Sequence, residues 1–329
     1  MAAETTLPPP RRPPDPSLAK DPQLPVYDQV AQNKRRSILL IAGFVLLVVA
    51  VGFALDLVVQ GGPAVIIIAV LVAGGSAALS YWKSDAVTLA VSRARPASVE
   101  EYPRLHNIVE GLCIAGGLPK PRIYVVDDPS PNAFATGRNP KHAAIAVTTG
   151  LLERMNRVEL EGVIAHELSH IKNYDILVST LAVTLVGVIA IAADMGVRMM
   201  WFGMGRSRNN DRDEGGGGAL AVLAILGFAL LILSPIIAKV MQAAVSRKRE
   251  ALADVSGVEL TRYPPGLISA LEKLRDDYTV VGSTSHATAH LWIEQPQAVE
   301  EHQGRMSRLN RLFDTHPPLD ERIALLREL

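Results

Sequence analysis

Apolar positions along this chain follow two kinds of pattern. Four blocks are apolar almost without interruption: Ser37 to Val59, Pro63 to Trp82, and two more near residues 176–197 and 219–240. Each is long enough to cross ~30 Å of hydrocarbon at about 1.5 Å per helical residue. Gln60-Gly61-Gly62 leaves room only for a tight turn, so the first two blocks predict a transmembrane hairpin. The other two predict a second. Elsewhere the apolar residues are spaced for amphipathic elements. Leu105, Ile108, Val109, Leu112 and Ile114 form one helical face within 99–118. Arg122–Val126 and Ala143–Thr148 read as strands, and the stretch Ser130 to Gly137 between them predicts a turn entering a third, edge strand. Val158, Leu160, Val163, Ile164 and Leu168 predict one more helix, with apolar spacings of mostly three to five.

Composition sharpens this picture. The 329 residues carry 33 basic and 33 acidic side chains, so no global field recruits nucleic acid. The mean hydropathy of +0.21 reflects the four apolar blocks and points to a membrane protein; a multi-pass location in the cell or inner membrane is expected. Cys113 is the only cysteine, which excludes an intramolecular disulfide and a cysteine-based zinc site. Residues 1–36 hold a Pro8-to-Pro14 cluster and little apolar periodicity, and are expected to be a disordered tail. The first apolar block begins late, runs long and is followed at once by another, unlike a cleaved signal peptide. Lys34, Arg35 and Arg36 precede the first pair of blocks, and Lys83, Arg93 and Arg95 follow it, which puts both flanks in the cytoplasm. Lys172 before the second pair and Lys239, Arg247, Lys248 and Arg249 after it favour the same side, and both termini follow. Charges inside the blocks sit near their ends, at Asp56, Asp194 and Lys239, which argues against a transporter or channel.

The candidate chemistry lies in His166-Glu167-Leu168-Ser169-His170. On a helix of ~3.6 residues per turn the two histidines lie about 40° apart on one face, so both imidazoles can reach one Zn²⁺. Glu167 adjoins the first of them and is placed to act as a base on water rather than as a ligand. A catalytic zinc needs a third protein ligand. Lys172, Asn173 and Tyr174 follow where the extended metzincin pattern would require Gly and then His, so that ligand must come from elsewhere. Glu250 and Asp254 stand one helical turn apart after the second pair of blocks. Glu250 can ligate, while Asp254 can accept a hydrogen bond from a ligand imidazole. Glu250 meets the histidines only if an even number of crossings separates them, as the two hairpins supply. One zinc per chain is expected. Asn132, Ala133 and Phe134, at the expected edge strand, are candidates to bind a peptide substrate as an added strand.

Several ordered stretches now carry a resemblance: Gly117-Leu118-Pro119, Asn132 to Ala135, His166 to His170, Glu250 to Asp254, Ala289-His290-Leu291, Thr315-His316-Pro317-Pro318 and Arg322-Ile323. In these the chain resembles the HtpX-type membrane zinc metalloproteases, kin of the CaaX prenyl proteases. The resemblance implies a mainly α membrane protein with a small β-sheet, in which a gluzincin-like zinc protease domain is joined to four transmembrane helices. The expected organisation is a tail (1–36), hairpin 1 (37–82), a first protease segment (83–175), hairpin 2 (176–240) and a second protease segment (241–329). It further implies a cytoplasmic, stress-related endopeptidase acting on damaged or misfolded membrane proteins, with His316 as a candidate transition-state stabiliser. A catalytically silent zinc-binding scaffold and a prenyl-protein endopeptidase are the alternatives. The intact Glu167 disfavours the first, and the number of apolar blocks disfavours the second.

Overall fold

The computed structural model describes residues 26–59, 62–182, 184–185, 247–277 and 318–329. Two long helices come first, α1 (Val26–Val59) and α2 (Pro63–Val91), packed against each other. Residues 26–36, expected to belong to the tail, are helical instead. Past Pro25 no proline interrupts the chain before Pro63, and Asn33 and Ser37, one turn apart, are buried against the rest of the protein. Helix α2 likewise runs beyond Trp82 to Val91. Apolar side chains such as Leu39 and Leu46 on α1 and Ile68 and Leu71 on α2 face outward and are exposed. Among the described residues, the stretch Ile66–Val91 is long and apolar enough to cross a membrane. Most of the expected second hairpin, the tail before Val26 and His316 lie outside the described residues.

The sheet has four strands: β1 (Arg95–Pro96), β2 (Arg122–Val126), β3 (Ala133–Gly137) and β4 (Ala143–Thr148), in the order β1-β2-β4-β3. The ranges of β2 and β4 are those expected from the sequence, and β3 is the predicted edge strand. Strands β2 and β4 run parallel, with Ile123 opposite Ile145, whereas β3 is antiparallel to β4. Alternation sorts the side chains by face. Ile123, Val125, Ala133, Ala135, Ile145 and Val147 join the main core, while Val126, Phe134, Ala144 and Ala146 pack with Leu89 of α2. The far half of α2 therefore covers one face of the sheet.

The other face is covered by helices. These include α3 (Pro103–Gly116), the short α4 (Thr149–Arg154) and α5 (Arg157–Lys172). A turn leads from α5 into a helical segment over 175–182. Beyond it lie α6 (Arg247–Thr261), α7 (Pro264–Arg275) and α8 (Leu319–Arg327). Helix α5 starts at a capping box. Asn156 accepts from the backbone N–H groups of Val158 and Glu159, and Glu159 accepts in return from the Asn156 N–H. Glu159 also bonds Lys273 and Ser269, at 2.7 Å each, which ties α5 to α7. Leu160, Val163, Ile164 and Leu168 of α5 are wholly buried. Each contributes on the order of 1.5–3 kcal/mol through burial, so α5 is a firm base for whatever it carries.

Candidate metal centre

His166 and His170 occupy successive turns of α5, with their rings nearly perpendicular at 88° and centroids 4.7 Å apart. Their Nε2 atoms are separated by 3.2 Å. Glu250, on α6, brings Oε2 to 3.6 Å from His166 Nε2 and Oε1 to 3.5 Å from His170 Nε2. Four-coordinate zinc with bonds of ~2.0–2.1 Å has ligand atoms about 3.3–3.4 Å apart, the edge of a tetrahedron. The three observed separations bracket that edge. Two imidazoles and a carboxylate form a suitable donor set, and they are the ones among the described residues that come close enough together to hold a metal ion.

Packing of α6 against α5 makes this possible. Glu250, Asp254 and Gly257 share one face of α6. A Cβ at Gly257 would lie 3.0 Å from the His166 backbone nitrogen, so its absence lets the helices approach at the height of the first histidine. Asp254 and Glu250 then reach the imidazoles from one and two turns away.

A second carboxylate stands behind each ring. Asp254 Oδ1 lies 2.9 Å from His166 Nδ1, and Asp175 Oδ2 lies 3.1 Å from His170 Nδ1. A bond from Nδ1–H to a carboxylate leaves the Nε2 lone pair available to a metal. Asp254 is itself gripped by Arg322 of α8, whose Nε donates to Oδ2 at 2.8 Å and whose Nη2 donates to Oδ1 at 2.7 Å. Burial pushes the Asp254 carboxyl up, but the Arg322 charge and the His166 ring bring it down to about 2. Burial alone would push the His166 imidazole down, yet Asp254 and Glu250 carry it up to about 9. At His170 burial again acts downward, and Glu250 and Asp175 lift the ring above its ordinary value. The carboxylates thus favour positive charge around the two rings, whether protons or a metal ion supply it.

The structure therefore brings together His166, His170, Glu250 and Asp254, and it buries Glu167 on the same helix within reach of the Arg322 charge. The edge-strand residues are placed differently. Asn132 is buried, bonding Thr148 Oγ1 through its backbone N–H and capping the Ala133 N–H with Oδ1. Ala133 faces the main core. Phe134 is fully buried against α2 on the opposite face of the sheet, so its side chain is a core group. Two residues to which the sequence alone assigns no role also enter, Arg322 behind His166 and Asp175 behind His170. Arg322 was marked only by its place in a matching stretch. Asp175 opens an apolar block and carries no local signal at all.

Comparison with known proteins places the chain in a family. The model of peptidase family M48 matches residues 100–329. A protease HtpX homologue of Streptococcus uberis is 45% identical over 305 residues, covering 92% of this chain and 100% of that protein. One from Thermoanaerobacter pseudethanolicus is 42% identical over 304 residues, covering 92% and 98%. A crystal structure of Ste24p from S. mikatae is similar with a TM-score of 0.42 at 15% identity, over 91% of this chain and 67% of that one. With a family match that runs from the start of α3 to the last residue, and relatives aligned along their whole length, the chain belongs to peptidase family M48 and is a metalloprotease of the HtpX kind.

Proposed function

We propose that the protein is a membrane-bound zinc endopeptidase whose metal is held by His166, His170 and Glu250. The convergence of their donor atoms at 3.2–3.6 Å carries this reading. Zinc, when bound, supplies a Lewis acid that polarises the peptide carbonyl and makes water more acidic. The chain's own residues do the rest. Glu167 accepts a proton from the attacking water on its carboxylate and passes it to the leaving amine nitrogen. Asp254 and Asp175 hold the two imidazoles with Nε2 turned inward. Strand β3 ends the sheet among the described residues, which suits an extended peptide pairing through its backbone as an added strand. Recognition of that kind tolerates many sequences, in keeping with a role in clearing damaged or misfolded membrane proteins.

The outward apolar side chains of α1 and α2 support insertion of this hairpin in a bilayer. Its two ends both dock on the sheet-containing body, through Asn33 on α1 and Leu89 on α2. The metal-binding residues therefore share the side of the membrane that holds the basic flanks, the cytoplasmic side.

Replacing Glu167 by Gln tests the chemistry. Zinc measured in the purified variant should match wild type, while cleavage of an unfolded model protein should fall by roughly 10²–10⁴-fold or more. Near-normal turnover, or wild-type turnover that survives chelation, would sink the mechanism.

A further inference from the structure

His170 leans on a part of the chain that His166 does not touch. Its partner Asp175 sits just past the turn that ends α5, where Tyr174 takes a left-handed conformation with φ of 60°. Asn33, near the start of α1, reaches this turn from 142 residues away in sequence. Its Nδ2 donates to Asp175 Oδ1 at 2.7 Å and to the Asn173 carbonyl at 2.8 Å. Its Oδ1 accepts from Arg249 Nη1 at 3.4 Å, and Arg249 Nη1 also lies 3.5 Å from Asp175 Oδ1. The neighbouring Lys34 stacks its ammonium 4.7 Å from the Tyr174 ring centroid. Asn33 and Asp175 are both buried.

From this arrangement we infer that Asn33 is a positioning residue for the metal site: through Asp175 it fixes the orientation and tautomer of His170, so metal binding depends on α1 being docked. The inference rests on the proposed reading of His170 as a ligand. The chemistry of the contact is specific to an amide. Two N–H donors face a carboxylate and a carbonyl, and one oxygen faces a guanidinium, which leaves a single sensible orientation of the group. An aspartate at position 33 would set two carboxylates against each other, and an aliphatic residue would offer neither donor. With Oδ1 held by Asn33 and Arg249, Asp175 can present Oδ2 only towards His170 Nδ1. Without Asn33 the carboxylate keeps the longer Arg249 contact but loses its 2.7 Å donor, and the Nδ1–H acceptor of His170 is less firmly held. Arg249 immediately precedes Glu250, so the same contact also steadies the start of α6.

The test uses the full chain in detergent or lipid discs, with zinc affinity read by competition against a chromogenic chelator. A second readout is the visible absorption of the cobalt(II) form, which reports ligand geometry independently of turnover. Asn33→Leu, similar in volume, should weaken zinc about 10-fold, as expected when a ligand's supporting partner is lost, and should shift the cobalt bands. Asn33→Ala carries the same expectation should the leucine variant fail to fold. Phe44→Leu is the control: it trims an apolar contact of α1 beside Ala77 and Ala182 while the Asn33 end stays docked, and should change neither readout. If Asn33 acts through Asp175, then Asn33→Leu combined with Asp175→Asn should bind zinc no worse than Asp175→Asn alone. Wild-type affinity with an unchanged cobalt spectrum in both Asn33 variants would overturn the inference, as would fully additive losses in the double variant. Failure of the unmodified chain to bind zinc would instead remove the metal-site reading beneath it.

Discussion

The two histidines of the metal centre have the same chemistry and different surroundings. Around His166 everything comes from the sheet-containing body: Asp254 from α6 and a forked Arg322 from α8, all buried to 2% exposure or less. Around His170 the support is borrowed, from the turn after α5 and from α1, and the side chain itself keeps 14% of its surface open. An enclosed ion pair is rigid but unforgiving, since a missing partner leaves a charge stranded where water cannot reach it. The half built from separate elements is adjustable. One imidazole is thus anchored within the sheet-containing body and the other by the docking of α1.

Glu250 is the one side chain that both halves share, so its loss should have the largest effect. Glu250→Ala should bring zinc content to background in metal analysis and peptide hydrolysis with it. Full occupancy at wild-type affinity would move the third ligand elsewhere. Next comes the enclosed half. Arg322→Met should destabilise the protein by about 3–5 kcal/mol in denaturant titrations, because Asp254 is left buried without its counter-charge. Pairing it with Asp254→Leu should return much of that stability without restoring zinc affinity. A single variant within ~1 kcal/mol of wild type would show that the pair contributes no more than an exposed one.

Smaller changes sharpen the contrast between the two aspartates. Asp254→Asn should weaken zinc by roughly 10–100-fold, whereas Asp175→Asn should fall nearer the lower end, because water can reach His170 and replace part of the lost bond. Equal losses would erase the difference between the halves. The smallest effect belongs to a contact outside both. Burial acts to raise the Glu159 carboxyl, but Lys273, Ser269 and the Asn156 N–H together hold it below its ordinary value. A carboxylate depressed in this way stabilises the fold above its unfolded pKa of about 4.3, and loses that contribution as pH falls through the lower folded value. Wild type should therefore exceed Glu159→Gln by roughly 1–2 kcal/mol at neutral pH, with the gap closing in acid. Zinc affinity should not change.

Much of this centre was legible in the chain because it depends on local periodicity. The histidines four residues apart, Glu250 and Asp254 at the same spacing, and strands β2 and β4 all follow from side-chain repeats within one element. What escaped depends on contacts between distant elements. Asn33 lies in a polar stretch next to a proline-rich one, where composition suggests disorder, and only its burial against Asp175 reveals its place. Asp175 looks like the polar lip of an apolar block. Arg322 reads as an exposed helix charge until α8 is seen packed against α6 and α7. Phe134 went the other way. An aromatic on an edge strand invites a binding role, but alternation along β3 turns it beneath α2.

The donors on α5 and α6 are far apart along the chain, and that separation has a consequence in polymer terms. A metal joining His170 to Glu250 ties off a loop of 250 − 170 = 80 residues, most of it the apolar stretches between the two helices. The entropy lost on closing a loop grows only with the logarithm of its length, about 0.6 kcal/mol for each doubling. A long insertion between two donors of one site therefore costs little more than a short surface loop. A site can thus be assembled from segments far apart in the chain, with room between them for residues that serve another purpose.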